Sequence, residues 1–191
     1  MTRVGWVMLA LVVLIGAGFL SLTSFGPAPP VVRQTVPAPV DPAARWLTVP
    51  VEGVARASLQ NNWGDPRAGG LRSHHGIDIV APGGTPVVAA AEGRVEKLFG
   101  SVLGGTTLYL RSADGQRIYY YAHLAGYAPG VHEGRAVRAG ERLGYVGDTG
   151  DAGTGNYHLH FGVQRMQPGE RWWQGEDVDP YPLLARGVPR R

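Results

Sequence analysis

The chain reads as an all-β protein, with antiparallel strands forming a sheet or sandwich behind a single N-terminal transmembrane helix. Three observations predict this. Glycine (29) and proline (15) make up almost a quarter of the 191 residues, while 44% are hydrophobic and 17% charged. That is the turn-rich composition of many short strands, not of a disordered chain. Beyond position 46, apolar residues recur at period two or in short runs and never hold helical spacing over a long stretch. Residues 4–25 contain no charged side chain.

That uncharged run is 22 residues long, and about 20 apolar residues carry a helix across a bilayer. A cleaved secretory signal would have an apolar core of about 7–15 residues followed by a small-x-small site. Here the core is longer, and Leu22-Thr23-Ser24-Phe25 offers no such site. Residues 1–25 therefore read as an uncleaved anchor, with the short end bearing Arg3 inside and the rest exported to the cell envelope. If the segment were cleaved, the domain would be secreted. Residues 26–45 include six prolines, which favour an extended spacer of about 3 Å per residue. The domain is expected over residues 46–191, with strands at 77–80, 86–91, 94–99, 106–111, 116–122, 142–146 and 157–164. Asp114-Gly115 between two of them is a short hairpin signal. The tail, 167–191, reads as a loop followed by an irregular wrap.

Composition excludes several classes. There is no cysteine, so disulfides and thiolate metal sites are ruled out, and any zinc must take histidine and carboxylate. The formal net charge is +3, but the arginines are scattered among acidic residues. Nucleic-acid binding would need a basic stripe with aromatic platforms, which the sequence lacks.

The chemistry concentrates in two segments. Successive side chains of an extended chain point to opposite faces. His74, Gly76 and Asp78 therefore share one side, with Ile77 and Ile79 behind them. His158 and His160 share another, with Leu159 and Phe161 behind. His74, Asp78 and His160 form a two-histidine, one-carboxylate set, the kind that holds catalytic zinc and leaves a fourth position for water. Zinc in such a site lowers the pKa of its water to about 7 and polarises a carbonyl. His158 would stand one pleat from the ion. His123 follows Tyr119 and Tyr121 on one face of its strand. Both are imidazoles able to take a proton or donate to an oxyanion. His75 falls on the opposite phase and reads as a local hydrogen-bonding residue, and His132 reads as an exposed loop residue.

Residues 74–88, His-His-Gly-Ile-Asp-Ile-Val-Ala-Pro-Gly-Gly-Thr-Pro-Val-Val, resemble the first signature of the lysostaphin/LytM-type zinc metallopeptidases. Tyr121-Ala122-His123-Leu124 resembles their central histidine motif, and residues 144–161, ending His158-Leu159-His160-Phe161, resemble the closing one. The similarity spans roughly residues 58–166, with all three motifs in order. The resemblance implies an antiparallel β fold with a narrow groove that cuts peptide bonds in bacterial cell-wall peptidoglycan. By position, His74, Asp78 and His160 match the zinc ligands, and His123 and His158 match the pair that activates water and stabilises the transition state. Gly162 departs from the pattern: relatives often carry Glu there, and by phase it faces the site.

The expected activity is a zinc-dependent endopeptidase acting on peptidoglycan stem or cross-link peptides. A non-catalytic wall-binding adaptor that activates an amidase is the alternative from another class. A histidine phosphocarrier of related topology fits poorly with an Asp at metal-ligand spacing.

Overall fold

A computed structural model of the chain describes residues 46–185. The expected anchor and spacer, and residues 186–191, lie outside the described residues. Among the described residues, no helix is long and apolar enough to cross a membrane. Eleven strands follow in chain order: β1 (Pro66–Arg67), β2 (Arg72–Ser73), β3 (Ile77–Val80), β4 (Pro86–Val88), β5 (Gly93–Ser101), β6 (Gly105–Ser112), β7 (Arg117–Tyr127), β8 (Ala136–Val137), β9 (Arg142–Val146), β10 (His158–Arg165) and β11 (Glu176–Val178). A five-residue helix, α1 (Tyr181–Ala185), closes the described part.

Every strand pairing is antiparallel, as the composition predicts. Nine strands form one sheet, along the path β11-β10-β7-β6-β5-β8, with β3 on β10 and with β9 joining β4 to β7. The remaining two, β1 and β2, form a separate hairpin. The expected strands all appear, 77–80 and 142–146 with the expected ends and the others with shifted ones. β4 stops at Val88 rather than 91, and β7 continues five residues past 122. The tail is more ordered than expected. β11 pairs with β10 across Val163↔Val178, and Leu184 of α1 is fully buried. These elements are too short for a periodic signal, and their burial against the sheet fixes them.

The period-two pattern is the source of the core. Ile77, Ile79, Leu159, Phe161 and Val163 are at most 3% exposed, and Leu108, Leu110, Tyr119 and Tyr121 join them from β6 and β7. Full burial of one such side chain contributes about 1.5–3 kcal/mol. Tyr121 satisfies its hydroxyl by accepting from the Ala90 amide at 2.9 Å, as a buried phenol must. The Asp114-Gly115 signal is realised at the β6–β7 connection. There Gly115 adopts φ +73° and donates to Ser112 O, while Asp114 Oδ1 accepts from the Gln116 amide at 3.0 Å. Residues 46–60 pack on the core: Leu47 and Val51 are buried, and Val51 bridges Val87.

Candidate active site

The pairing of β3 with β10 sets the site. His160 lies opposite Asp78 across that pair and opposite Ala122 on β7. Residues directly opposite in antiparallel strands share a face, with side chains close enough to touch. The apolar alternates Ile77, Ile79, Leu159 and Phe161 lock this register, because a one-residue slip would turn them outward.

His74 does not belong to a strand. It stands in the link between β2 and β3, where its amide donates to Asp65 O at 2.9 Å and its carbonyl accepts from Gly64 N at 2.9 Å. Its ring nevertheless reaches the same point. His74 Nε2 lies 2.9 Å from His160 Nδ1 and 3.0 Å from Asp78 Oδ1, and His160 Nδ1 lies 3.2 Å from that oxygen. His158 Nε2 is 3.8 Å from Asp78 Oδ1.

This triangle suits a cation. Donors about 2.0–2.2 Å from a tetrahedral zinc stand about 3.3–3.6 Å apart, and the observed edges are only slightly shorter. The orientation of His74 points the same way. Its Nδ1 donates to Asn62 O at 2.7 Å, which turns Nε2 toward Asp78 Oδ1 and His160 Nδ1. Asn62 also orients the carboxylate's backbone, its Oδ1 accepting from Asp78 N at 3.1 Å. Outer-shell support of this kind fixes ligand orientation.

Burial is the largest single influence on Asp78 and raises its pKa, but hydrogen bonds and charge from His160 and His74 outweigh it. The carboxyl is held well below the ordinary carboxylate range. Burial lowers the pKa of His160 despite the opposing pull of Asp78, and lowers that of His123 despite its bond to Thr149. Asp78 is thus held as a carboxylate, and burial favours the neutral, metal-binding form of His160.

Arg67 is the residue the sequence reading misses. Its Nη2 donates to Asp78 Oδ2 at 2.5 Å, which occupies the outer oxygen and leaves Oδ1 to the triangle. No local pattern marks it, because the contact depends on how the β1–β2 hairpin folds back.

His123 corrects the strand phasing. Tyr119 and Tyr121 point into the core at 3% and 0% exposure, so simple alternation would send His123 inward with them. Instead, β7 places Tyr121 opposite Leu108 and Leu124 opposite Thr106, one extra residue on the β7 side. His123 adopts φ +60° within this bulge and swings onto the face of His160, with ring centroids 5.9 Å apart. Bulges characteristically re-aim side chains this way. His123 Nδ1 donates to Thr149 O and His158 Nδ1 to Asn156 O, each at 2.8 Å. Both rings therefore leave Nε2 as the free nitrogen.

Two lesser expectations resolve here. His75 bonds Asp177 Oδ2 at 2.7 Å, a distant rather than local partner, and His132 is exposed. Gly162 lies opposite Tyr120, on the site face as phased. The whole arrangement opens into a groove of about 580 Å³.

Gly76 is where the site tolerates least. A Cβ there would stand 2.7 Å from His160 Cε1 and Nε2 and from Phe161 O, while the Tyr120 ring meets His160 at 5.7 Å. Gly76→Ala is expected to displace the imidazole, cost about 1–3 kcal/mol of stability, and weaken zinc binding at least about tenfold, the low end of support-shell losses. Thermal unfolding and zinc competition titration check both effects.

An open groove floored by an antiparallel sheet, with three convergent metal-capable donors and two histidines beside them, is the layout of a hydrolase. Comparison with known proteins makes the class specific. The model for peptidase family M23 matches residues 72–180, and the chain belongs to that family. It is 36% identical over 133 residues to an L-Ala--D-Glu endopeptidase of Bacillus subtilis, covering 66% of this chain and 39% of that protein. It is 38% identical over 96 residues to the peptidoglycan DD-endopeptidase ShyC of Vibrio cholerae, covering 50% and 21% respectively. The chain thus spans well under half the length of either relative. Its fold is similar to the catalytic domain of lysostaphin from Staphylococcus simulans, with TM-score 0.55 and 30% identity over 68% of this chain and 94% of that one.

Proposed function

We propose that this protein is a zinc endopeptidase that hydrolyses peptide bonds of bacterial cell-wall peptidoglycan. Its domain would be held outside the cytoplasmic membrane by residues 1–25 and spaced from it by the proline-rich residues 26–45. The observation that carries the catalytic reading is the convergence of His74 Nε2, Asp78 Oδ1 and His160 Nδ1 within one groove. These three residues would hold the ion. Zinc, when bound, supplies an acidified water and polarises the scissile carbonyl.

The protein's own residues do the rest. Asp78 supplies the negative charge that balances the cation, and Arg67 keeps its outer oxygen engaged. His123 and His158, each anchored through Nδ1–H to a backbone carbonyl, present Nε2 lone pairs to the groove. One takes the proton of the attacking water as the C–O bond forms. That ring returns the proton to the departing amine as the C–N bond breaks, while the other, carrying a solvent-derived proton on Nε2, donates to the oxyanion. The convergence of His74, Asp78 and His160 supports this reading over the adaptor alternative.

The test uses full-length, zinc-loaded protein on insoluble wall sacculi. Soluble peptides or peptide-bearing glycan strands, with amines newly exposed within the peptide, are expected. Chelation should stop their release, and one equivalent of zinc should restore it. Release of only intact peptides, with glycan left in the pellet, would point to an amidase-type bond and defeat the endopeptidase assignment.

A further inference from the structure

The β1–β2 hairpin contains an arrangement that its own fold does not require. Arg67 and Arg72 are register partners, and like charges placed directly opposite destabilise a strand pair. Both line the groove. We propose that this arginine pair reads a carboxylate on the substrate, so that the preferred peptide carries a free carboxylate close to the scissile bond. The inference rests on the endopeptidase reading and deepens it.

The two arginines are held differently. Arg67 is tied to Asp78, inside the metal triangle. Arg72 Nη2 meets Asp151 Oδ2 at 3.1 Å, with side chains 46% and 43% exposed. Asp151 comes from the loop between β9 and β10, also a groove wall. An ion pair this exposed is weakly held, because water competes for both partners. Arg72 can therefore exchange Asp151 for an incoming carboxylate at little cost. The planar fork of a guanidinium matches two carboxylate oxygens at once. Arg67, the register partner of Arg72 and also in the groove lining, adds to the positive potential.

Charge favours the same occupant. Arg67, Arg72, Asp78 and Asp151 cancel formally along the groove, and a divalent ion on the triangle would leave it two units positive. An anionic peptide suits that field better than an uncharged bridge of glycine residues. Asp151 acts as a stand-in anion until substrate arrives.

The experiment compares two synthetic stem peptides that differ only in whether the carboxylates flanking the scissile bond are free or amidated. Zinc-loaded full-length protein is expected to cleave the free form with kcat/KM roughly tenfold or more above the amidated form, the scale of one charge-assisted hydrogen bond. In Arg72→Gln that ratio should collapse toward one, Arg72→Lys should keep part of it, and Asp151→Asn should raise it. Equal cleavage of both forms by the wild type overturns the proposal, as does an unchanged ratio in Arg72→Gln. Calorimetry with reduced-amide analogues of the two peptides separates this from the catalytic reading. A binding preference without hydrolysis of either peptide would leave the carboxylate site standing and sink the endopeptidase, whereas hydrolysis with equal binding would do the reverse.

Discussion

Asp78→Ala should abolish hydrolysis and empty the site of zinc. Asp78 is the one anion among three donors, and it stands opposite His160 in the β3–β10 register. Removing it does more than delete a ligand. Arg67, which now neutralises itself on Asp78 Oδ2, would be left as an uncompensated cation beside the remaining imidazoles, repelling the ion they would hold. Loss of an outer-shell partner in metal sites typically costs about 10–100-fold. Loss of this ligand should cost at least about 10³-fold, since the water activation supplied by the ion goes with it. Asp78→Asn is the sharper variant, because it preserves shape and removes only charge. Elemental analysis should find well under one zinc per chain, while circular dichroism keeps its β signature because the core lies on the other face of the strands. Near-stoichiometric zinc with wild-type turnover in either variant would remove Asp78 from the site.

What the sequence made legible, and what it hid, follows from the range of the forces involved. Alternation is local: Leu159 and Phe161 must face the core, so His158 and His160 must face the groove, and the same logic aims Asp78 between Ile77 and Ile79. Alternation therefore makes Asp78 and His160 legible as neighbours, whereas His74 reaches them from the link between β2 and β3 and not from a strand. His123 resisted this reading because a single extra residue in β7 inverts its face, and a bulge leaves no trace in hydrophobic period. Arg67 and Asn62 resisted it for another reason. Their contacts to Asp78 and His74 join residues 11 to 16 positions apart, and nothing within a few residues of either one encodes that approach. The tail shows the same limit. Glu176–Val178 and Tyr181–Ala185 take their shape from the surface they cover, not from their own propensity.

His123→Ala and His158→Ala should separate chemistry from metal binding. Neither nitrogen belongs to the donor triangle, so each variant should retain about one zinc per chain. Yet each removes a positioned Nε2 from the space where water and carbonyl would meet. The rings lie 4.8 Å apart by centroid, close enough to act on one reacting centre from two sides. Proton transfer by a positioned imidazole contributes about 10²–10⁴-fold, and one oxyanion donor about 10²–10³-fold. A fall in kcat of about 10²–10³ for each single variant is expected, with KM changing little because neither loss touches ground-state binding. The double variant should fall short of the product of the two, as residues serving one transition state act as a unit. The backbone anchors give an independent check. Thr149 O and Asn156 O accept from the two Nδ1–H groups, so a glutamine at either histidine position, unable to present both nitrogens in that geometry, should be as inactive as alanine. Zinc lost together with activity in His158→Ala would instead make that residue a ligand, which its 3.8 Å approach to Asp78 Oδ1 renders the most direct challenge to the three-donor assignment.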